Sequence, residues 1–373
     1  MPRHYLDHAS TSPTRPEAIK AMIAWLHDGL GDPARIHHEG QVARVTVEAA
    51  REQVAALLGA RSREVVFTSG ATEAIAAAVY GATAHLGDRA GHVVAAAVEH
   101  SAVRLSSARH ELTLVGCDRL GRVDADVLLD AVRPDTALVH LQWGNHEVGV
   151  TQPVAAVVTA CRERGILVHV DAAQAAGHVP IDFRALGADL MSVSAHKMGG
   201  PPGVGALLVR RGLRLPPLLV GGDQERARRA GFENVPAIVG WGVAAAVLTD
   251  RLEDEERLAR RQTERILGAV PALAGVEIYG DSTGRLPQIV CLGIAGIEPQ
   301  AVLLGLDQAG IAVHSGSACA SEDLAPSPVL EAMGVDAHHS LRISVGWSTT
   351  DDDIDALQRE LPAVLARLRA LRR

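Results

Sequence analysis

The chain has 373 residues, of which 47% are hydrophobic, 21% charged and 3% aromatic, and it carries a formal net charge of −8. That length supplies core for two domains or one large one, and the aliphatic composition excludes a disordered or fibrous protein. The acidic balance argues against a nucleic-acid binder, and no run reaches the ~18 uninterrupted apolar residues of a membrane span.

In chain order, the N-terminus "MPRHYLDHAS" has no apolar signal core, so a cytoplasmic protein is expected. Helical patterns at 16–28 and 40–58 read as an N-terminal arm. From residue 64 to about 210, apolar β-rich runs alternate with helical stretches: "EVVFTS", "HVVAAAV", "TLVGCD", "ALVHLQW", "ILVHVDAA", "LMSVSA" and "GALLVR". Helices are expected at 71–86, 124–132 and 153–164, the last closed by Gly165 as a C-cap glycine. Strands apolar on both faces with helical crossovers predict an α/β fold, its parallel or mostly parallel sheet covered on two sides. Past "GGDQERARRAGFENVP" a long helix runs to about 270. A different rhythm follows: "VEIYG", "QIVCLGI", a helix at 299–309, "IAVHSGS", a helix at 327–333, "LRISVG" and a helix at 351–372. The expected division is a large domain over 12–250 and a smaller α+β domain made of 1–11 and 251–373.

Ligands of open α/β sheets sit at the carboxyl ends of strands, so chemistry is sought there. After "EVVF" comes "TSGATE", whose small residues at Ala71 and Thr72 open a helix and offer backbone N–H groups to a phosphate; a plain helix cap is the alternative. After "ILVHV" comes Asp171, costly to bury unless paired; an arginine ion pair is the alternative. After "LMSVSA" come His196 and Lys197. Of 36 basic residues, thirty-four are arginine and two are lysine, Lys20 and Lys197. Lysine can act as an amine nucleophile and arginine cannot. Cradle, carboxylate and lysine suit pyridoxal phosphate, with Lys197 as the Schiff-base amine and Asp171 holding the pyridine nitrogen protonated. Cys117, Cys161, Cys291 and Cys319 lie far apart without CxxC spacing, and the pairs His37-His38 and His338-His339 lack helical ligand spacing. Neither a disulfide framework nor a metal site is expected. The cluster Arg226, Arg228 and Arg229 reads as a local anion or interface feature.

The segments "YLDHASTSP", "FTSGATEA", "EHSAV", "NHEVG", "HVDAAQ", "SAHKMGGPPGVGAL" and "SGSACAS" resemble, colinearly over nearly the whole chain, the cysteine desulfurases. These are pyridoxal-phosphate enzymes of the class V aminotransferase group with fold type I. The resemblance implies that Lys197 binds the cofactor and moves protons at the substrate Cα. Asp171 would pair with the pyridine nitrogen, Gln174 with the 3′ oxygen, and His100 would lie over the ring. Thr72, with Ala71 beside it, Ser194 and His196 would bind the phosphate, and Arg342 the substrate carboxylate. Cys319, in a small-residue loop, would attack the sulfur of L-cysteine, giving L-alanine and a persulfide for an acceptor protein or small thiol.

Three positions depart from the family. His146 stands where a second asparagine is usual, next to cofactor and substrate; it is bulkier and can change charge near neutral pH. Phe232 replaces a threonine that reaches the neighbouring subunit's phosphate, and Trp347 replaces an arginine. A homodimer is expected, because Phe232 would otherwise be an exposed aromatic in an Arg-rich turn. A C–S or C–Se lyase of the same fold and a non-catalytic sulfur-relay protein are the competing readings.

Overall fold

A computed structural model describes residues 3–84, 91–315 and 326–371. The first half contains β1 (His4–Tyr5), α1 (Pro16–Asp28), α2 (His38–Leu57), β2 (Val65–Thr68), α3 (Ala71–Thr83), β3 (His92–Ala96), α4 (Ser101–Ser107), β4 (Glu111–Val115), α5 (Ala125–Asp130), β5 (Thr136–Gln142) and α6 (Val154–Glu163). Then come β6 (Leu167–Asp171), α7 (Phe183–Leu186), β7 (Leu190–Ser194), β8 (Gly205–Val209), α8 (Gln224–Ala227) and α9 (Val235–Ala269). The last stretch holds β9 (Val276–Tyr279), β10 (Ile289–Ile294), α10 (Pro299–Gln308), β11 (Ile311–Ala312), α11 (Pro328–Met333), β12 (Ser340–Ser344) and α12 (Asp351–Ala370).

Local signals set several of these boundaries. Pro16 opens α1, where a missing N–H costs nothing. Thr350 and Asp353 close a capping box on α12. Gly165, at φ 71°, turns the chain just past α6, as expected. α2 begins at His38 rather than Gly40, because the His37 ring accepts the Gly40 N–H and caps the helix earlier.

The main sheet has seven strands in the order β2-β8-β7-β6-β5-β3-β4. β4, β3, β5, β6 and β7 run parallel, while β8 is antiparallel to both β7 and β2. β2 therefore points the same way as β7. The ends of β2, β3, β5, β6 and β7, together with the start of β8, meet at one edge. Every residue of β2, β3, β7 and β8 is buried, which is why these runs carry no polar alternation.

A second sheet, β12-β10-β9, is antiparallel, and β1 pairs with β11. Its core gathers Leu6, Leu292, Leu341 and Leu357, whereas the main core runs from Val47 through Val170 and Trp241 to Met333. α9 serves both. Its buried Trp241 and Leu248 belong to the main core, and its Ala259 and Ile266 to the second. The expected boundary at 250 falls inside this continuous helix. Val235–Ala272 is also the one described helix long and apolar enough to cross a membrane; half of its apolar window is buried within the protein.

Candidate active site

The shared strand edge opens into a cavity of about 470 Å³. Residues between β2 and α3 form one side of it: Ser69, Gly70, Ala71 and Thr72. The α3 N-terminus has no side-chain cap, so its first amides and its positive dipole end face the cavity. The plain-cap alternative is thereby set aside. Ser194 at the end of β7 lies across from Gly70, whose missing Cβ would stand 3.9 Å from the Ser194 hydroxyl. Behind them, a Cβ on Gly205 would sit 2.7 Å from the Gly70 Cα and 2.6 Å from the Val193 carbonyl, so only glycine lets β8 pass under this turn. His196 completes the side; its Nδ1 lies 3.1 Å from the Thr11 hydroxyl, and burial, then the Lys197 charge, lowers its pKa to about 4. It is a neutral ring.

Asp171, 8% exposed at the end of β6, accepts from the Ser192 hydroxyl at 3.1 Å and the Ala173 N–H at 3.0 Å, both on Oδ1. Among the described residues no cation forms an ion pair with it, so the structural ion pair is not what holds it there. Its charged neighbour is instead Glu99, 1% exposed, whose pKa is raised to about 8 by burial first and by Asp171 second. Glu99 is therefore mostly protonated at neutral pH.

Lys197 follows β7 and donates to the carbonyls of Ala9 (2.5 Å) and Ser10 (2.8 Å). The Gln174 amide donates to the same Ala9 carbonyl at 2.9 Å. Lys20, by contrast, is an exposed helix residue.

His100 caps α4 by accepting the Ala102 N–H and meets His146 edge to face, with ring centroids 5.0 Å apart. His146 is 8% exposed, and burial is the largest cause lowering its pKa, which favours the neutral ring. Arg342, 1% exposed on β12, donates to the His146 carbonyl (2.9 Å), the Asp7 carboxylate (3.0 Å) and the Ser10 hydroxyl (2.8 Å). Every expected site residue among those described thus lines one cavity. Cys319 lies outside the described residues. Cys291, the expected structural thiol, is buried in β10, and burial raises its pKa.

The arginine cluster is mostly self-contained. Arg226 pairs with Glu48, Arg229 pairs with Glu73, and Arg228 donates to three backbone carbonyls. Phe232 is 63% exposed. Trp347 donates to the Pro13 carbonyl and packs under the Arg15 guanidinium, 5.2 Å from its ring centroid.

Sequence reasoning missed Glu99, Ser192, Asp7 and the carbonyls of Ala9 and Ser10. Glu99 carried a signal, an acid directly after the apolar run "HVVAAAV"; the carbonyls carried none.

The residues present fit pyridoxal phosphate. A buried carboxylate without a cation, an uncapped helix start and a lysine amine share one cavity. Buried Gln174 Oε1, His146 Nδ1 and Arg342 Nε in its lining have no partner among the described residues.

The profile "Aminotransferase class-V" matches residues 4–357, and the chain belongs to that family. Within it the chain is similar to proteins named cysteine desulfurase IscS. That of Dictyoglomus turgidum is 39% identical over 98% of this chain and 95% of its own, and that of Methanosarcina thermophila 38% identical over 98% and 92%. Among solved structures, a NifS-like protein superposes with TM-score 0.92 at 30% identity, covering 98% of this chain and 100% of its own. The structure titled "SspA in complex with cysteine" gives TM-score 0.80 at 29% identity, over 92% of this chain and 99% of its own.

Proposed function

We propose that this chain is a pyridoxal-phosphate-dependent cysteine desulfurase that converts L-cysteine to L-alanine, placing the sulfur on Cys319 and passing it to an acceptor. The observation that carries the reading is the convergence of Lys197, Asp171, the α3 N-terminus and Arg342 on one cavity, in a chain 37–40% identical over 98% or more of its length to proteins named cysteine desulfurase.

When bound, the cofactor supplies an electron sink for the substrate Cα. Asp171 would hold its ring nitrogen. The α3 amides with Thr72, Ser194 and His196 would hold its phosphate, and the Lys197 amine would anchor it. Arg342 orients the substrate carboxylate; the His146 carbonyl, Asp7 and Ser10 hold its terminal nitrogens in place and leave Nε and one Nη1 hydrogen for a ligand. Lys197 takes the Cα proton and returns one, and His100 stands beside it for further proton transfer. The Cys319 sulfur bonds to the substrate sulfur as the Cβ–S bond breaks, its electron pair remaining with carbon, and a proton adds at Cβ. L-Cysteine and a thiol become L-alanine and a persulfide.

The chain works as a homodimer in this reading. Ile19, Ile23, Leu26 and Leu30 make an exposed apolar stripe on and just beyond α1, and exposed Phe232 adds a second apolar contact. A monomer in light scattering at micromolar concentration would contradict the dimer. The sulfur step is tested by mass spectrometry of the enzyme after one turnover with L-cysteine. The peptide bearing Cys319 gains one sulfur in the wild type and none in Cys319→Ser; sulfur on another cysteine, or on none, contradicts the assignment.

A further inference from the structure

Within α8, Glu225, Arg226 and Ala227 stand at φ 50°, 59° and 59°, consecutive side-chain-bearing residues in the left-handed region. That region is disfavoured for L-residues and is normally visited one residue at a time, most often by glycine. A run of it persists only where the surroundings hold it in place, and such strain gathers at functional sites.

Glu225 is what holds this turn. Its side chain is 1% exposed and takes both terminal nitrogens of Arg51, on α2, at 2.6 and 2.7 Å. Glu225 Oε2 also accepts the Phe67 N–H of β2 at 2.9 Å. Arg51 donates in turn to the Val65 carbonyl at 3.0 Å and lies over the Phe67 ring, 4.5 Å from its centroid. A buried two-pronged pair of this kind resists displacement, because a partner that moves away leaves a buried charge unmatched.

Just past the turn, Arg229 donates to both carboxylate oxygens of Glu73 at 2.9 and 3.2 Å. Glu73 Oε2 accepts the Ser69 N–H at 2.8 Å. Phe67 and Glu73 bracket the Thr68–Thr72 segment that carries the phosphate cradle. The left-handed turn therefore grips that segment at both ends, through Glu225 on the incoming strand and through Arg229 on the first turn of α3. Arg51, Glu225 and Arg229 themselves lie outside the cavity lining.

We propose that Glu225, locked by Arg51, is a positioning residue that holds the strained turn in its left-handed form and thereby keeps the cradle amides converged on the phosphate of the cofactor. The proposal rests on the cofactor reading above. Without the lock the turn relaxes, its grip on Phe67 and Glu73 loosens, and the amides lose their common focus.

Equilibrium dialysis with pyridoxal phosphate and with pyridoxal, which has the same ring and aldehyde but no phosphate, tests this. Glu225→Gln should weaken pyridoxal phosphate about tenfold or more and pyridoxal less than about twofold, since only the former uses the cradle. Ala227→Gly relieves part of the strain and, added to Glu225→Gln, should recover part of the lost affinity. Equal weakening of the two ligands, no weakening of either, or no recovery in the double variant overturns the proposal. Arg229→Gln cuts the partly exposed tie to Glu73 while leaving the buried pair intact, and keeps the test open if Glu225→Gln folds poorly. It should cost several-fold in affinity for pyridoxal phosphate and leave pyridoxal unchanged; an equal effect on both, or none, again overturns the proposal. A wild type that binds pyridoxal as tightly as pyridoxal phosphate, or binds neither, would instead sink the cofactor reading itself, and the proposal with it.

Discussion

One wall of the cavity presents backbone amides and small side chains around Gly70, Ala71 and Ser194, whereas the opposite wall presents long polar side chains: Gln174, held by the Ala9 carbonyl, His146, and Arg342, held by the His146 carbonyl. The first wall reads an anion through a helix terminus, a property of the main chain that most substitutions leave alone. The second wall reads its ligand through the identity and tautomer of single groups, so one substitution can reverse a hydrogen bond's direction. Departures from the family's pattern are accordingly more consequential on the second wall, and His146 lies on it.

Lys197 stands between the walls and gives the largest expected effect. Lys197→Arg keeps the charge and removes the amine nucleophile, so turnover should fall by on the order of 10³-fold or more, with loss of the lysine-bound cofactor absorbance. A coloured, active Lys197→Arg protein would show that the two walls flank a different reacting group. On the backbone wall, Gly205→Ala should be the damaging change, because the new Cβ meets the main chain of Gly70 and Val193. Cofactor affinity should drop roughly ten- to a hundredfold, in line with about 1–3 kcal/mol for overpacking. Equilibrium dialysis measures it, and an unchanged affinity would mean that the turn tolerates displacement.

A third test concerns acid. His8 and His140 are 1% and 0% exposed, and burial lowers the pKa of each to about 3, while that of His169 lies well below its ordinary value. The unfolded chain takes up these protons from about pH 6.5 downward and the folded chain does not. Stability is therefore full above about pH 6.5 and declines as pH falls toward 3, by up to about 2 kcal/mol per histidine at about pH 5. Urea midpoints at about pH 7.5 and pH 5 check the sign; His140→Gln should flatten the slope. The smallest effect belongs to Thr72→Ala. If amides carry the phosphate, losing one hydroxyl should weaken cofactor binding by less than about tenfold, within ~1 kcal/mol for a single hydrogen bond.

The first wall was largely legible in the sequence. A Ser-Gly-Ala-Thr turn between an apolar strand and a helix could equally be a plain cap, but it gained meaning beside Asp171 and Lys197, which stood out because acids and lysines rarely follow fully apolar strands. What stayed hidden depended on pairing. An apolar strand reads the same in either direction, so the reversal of β8 had no signature. Ser192 reaches Asp171 because β6 and β7 align those two positions. The contact from Glu147 to Ser327 joins residues 180 apart. The Ala9 and Ser10 carbonyls are main-chain groups that any residue could supply. The burial of His146, which lowers its pKa, likewise depends on elements far along the chain.

The central claim is that sulfur leaves the substrate to a cysteine rather than by elimination. The most direct measurement is the ratio of alanine to pyruvate formed from L-cysteine by the loaded enzyme, with Cys319→Ser alongside. Alanine should dominate in the wild type and vanish in the variant, which should still bind L-cysteine and perturb the cofactor spectrum. Pyruvate with free sulfide as the main products of the wild type would contradict the account and make this protein a lyase.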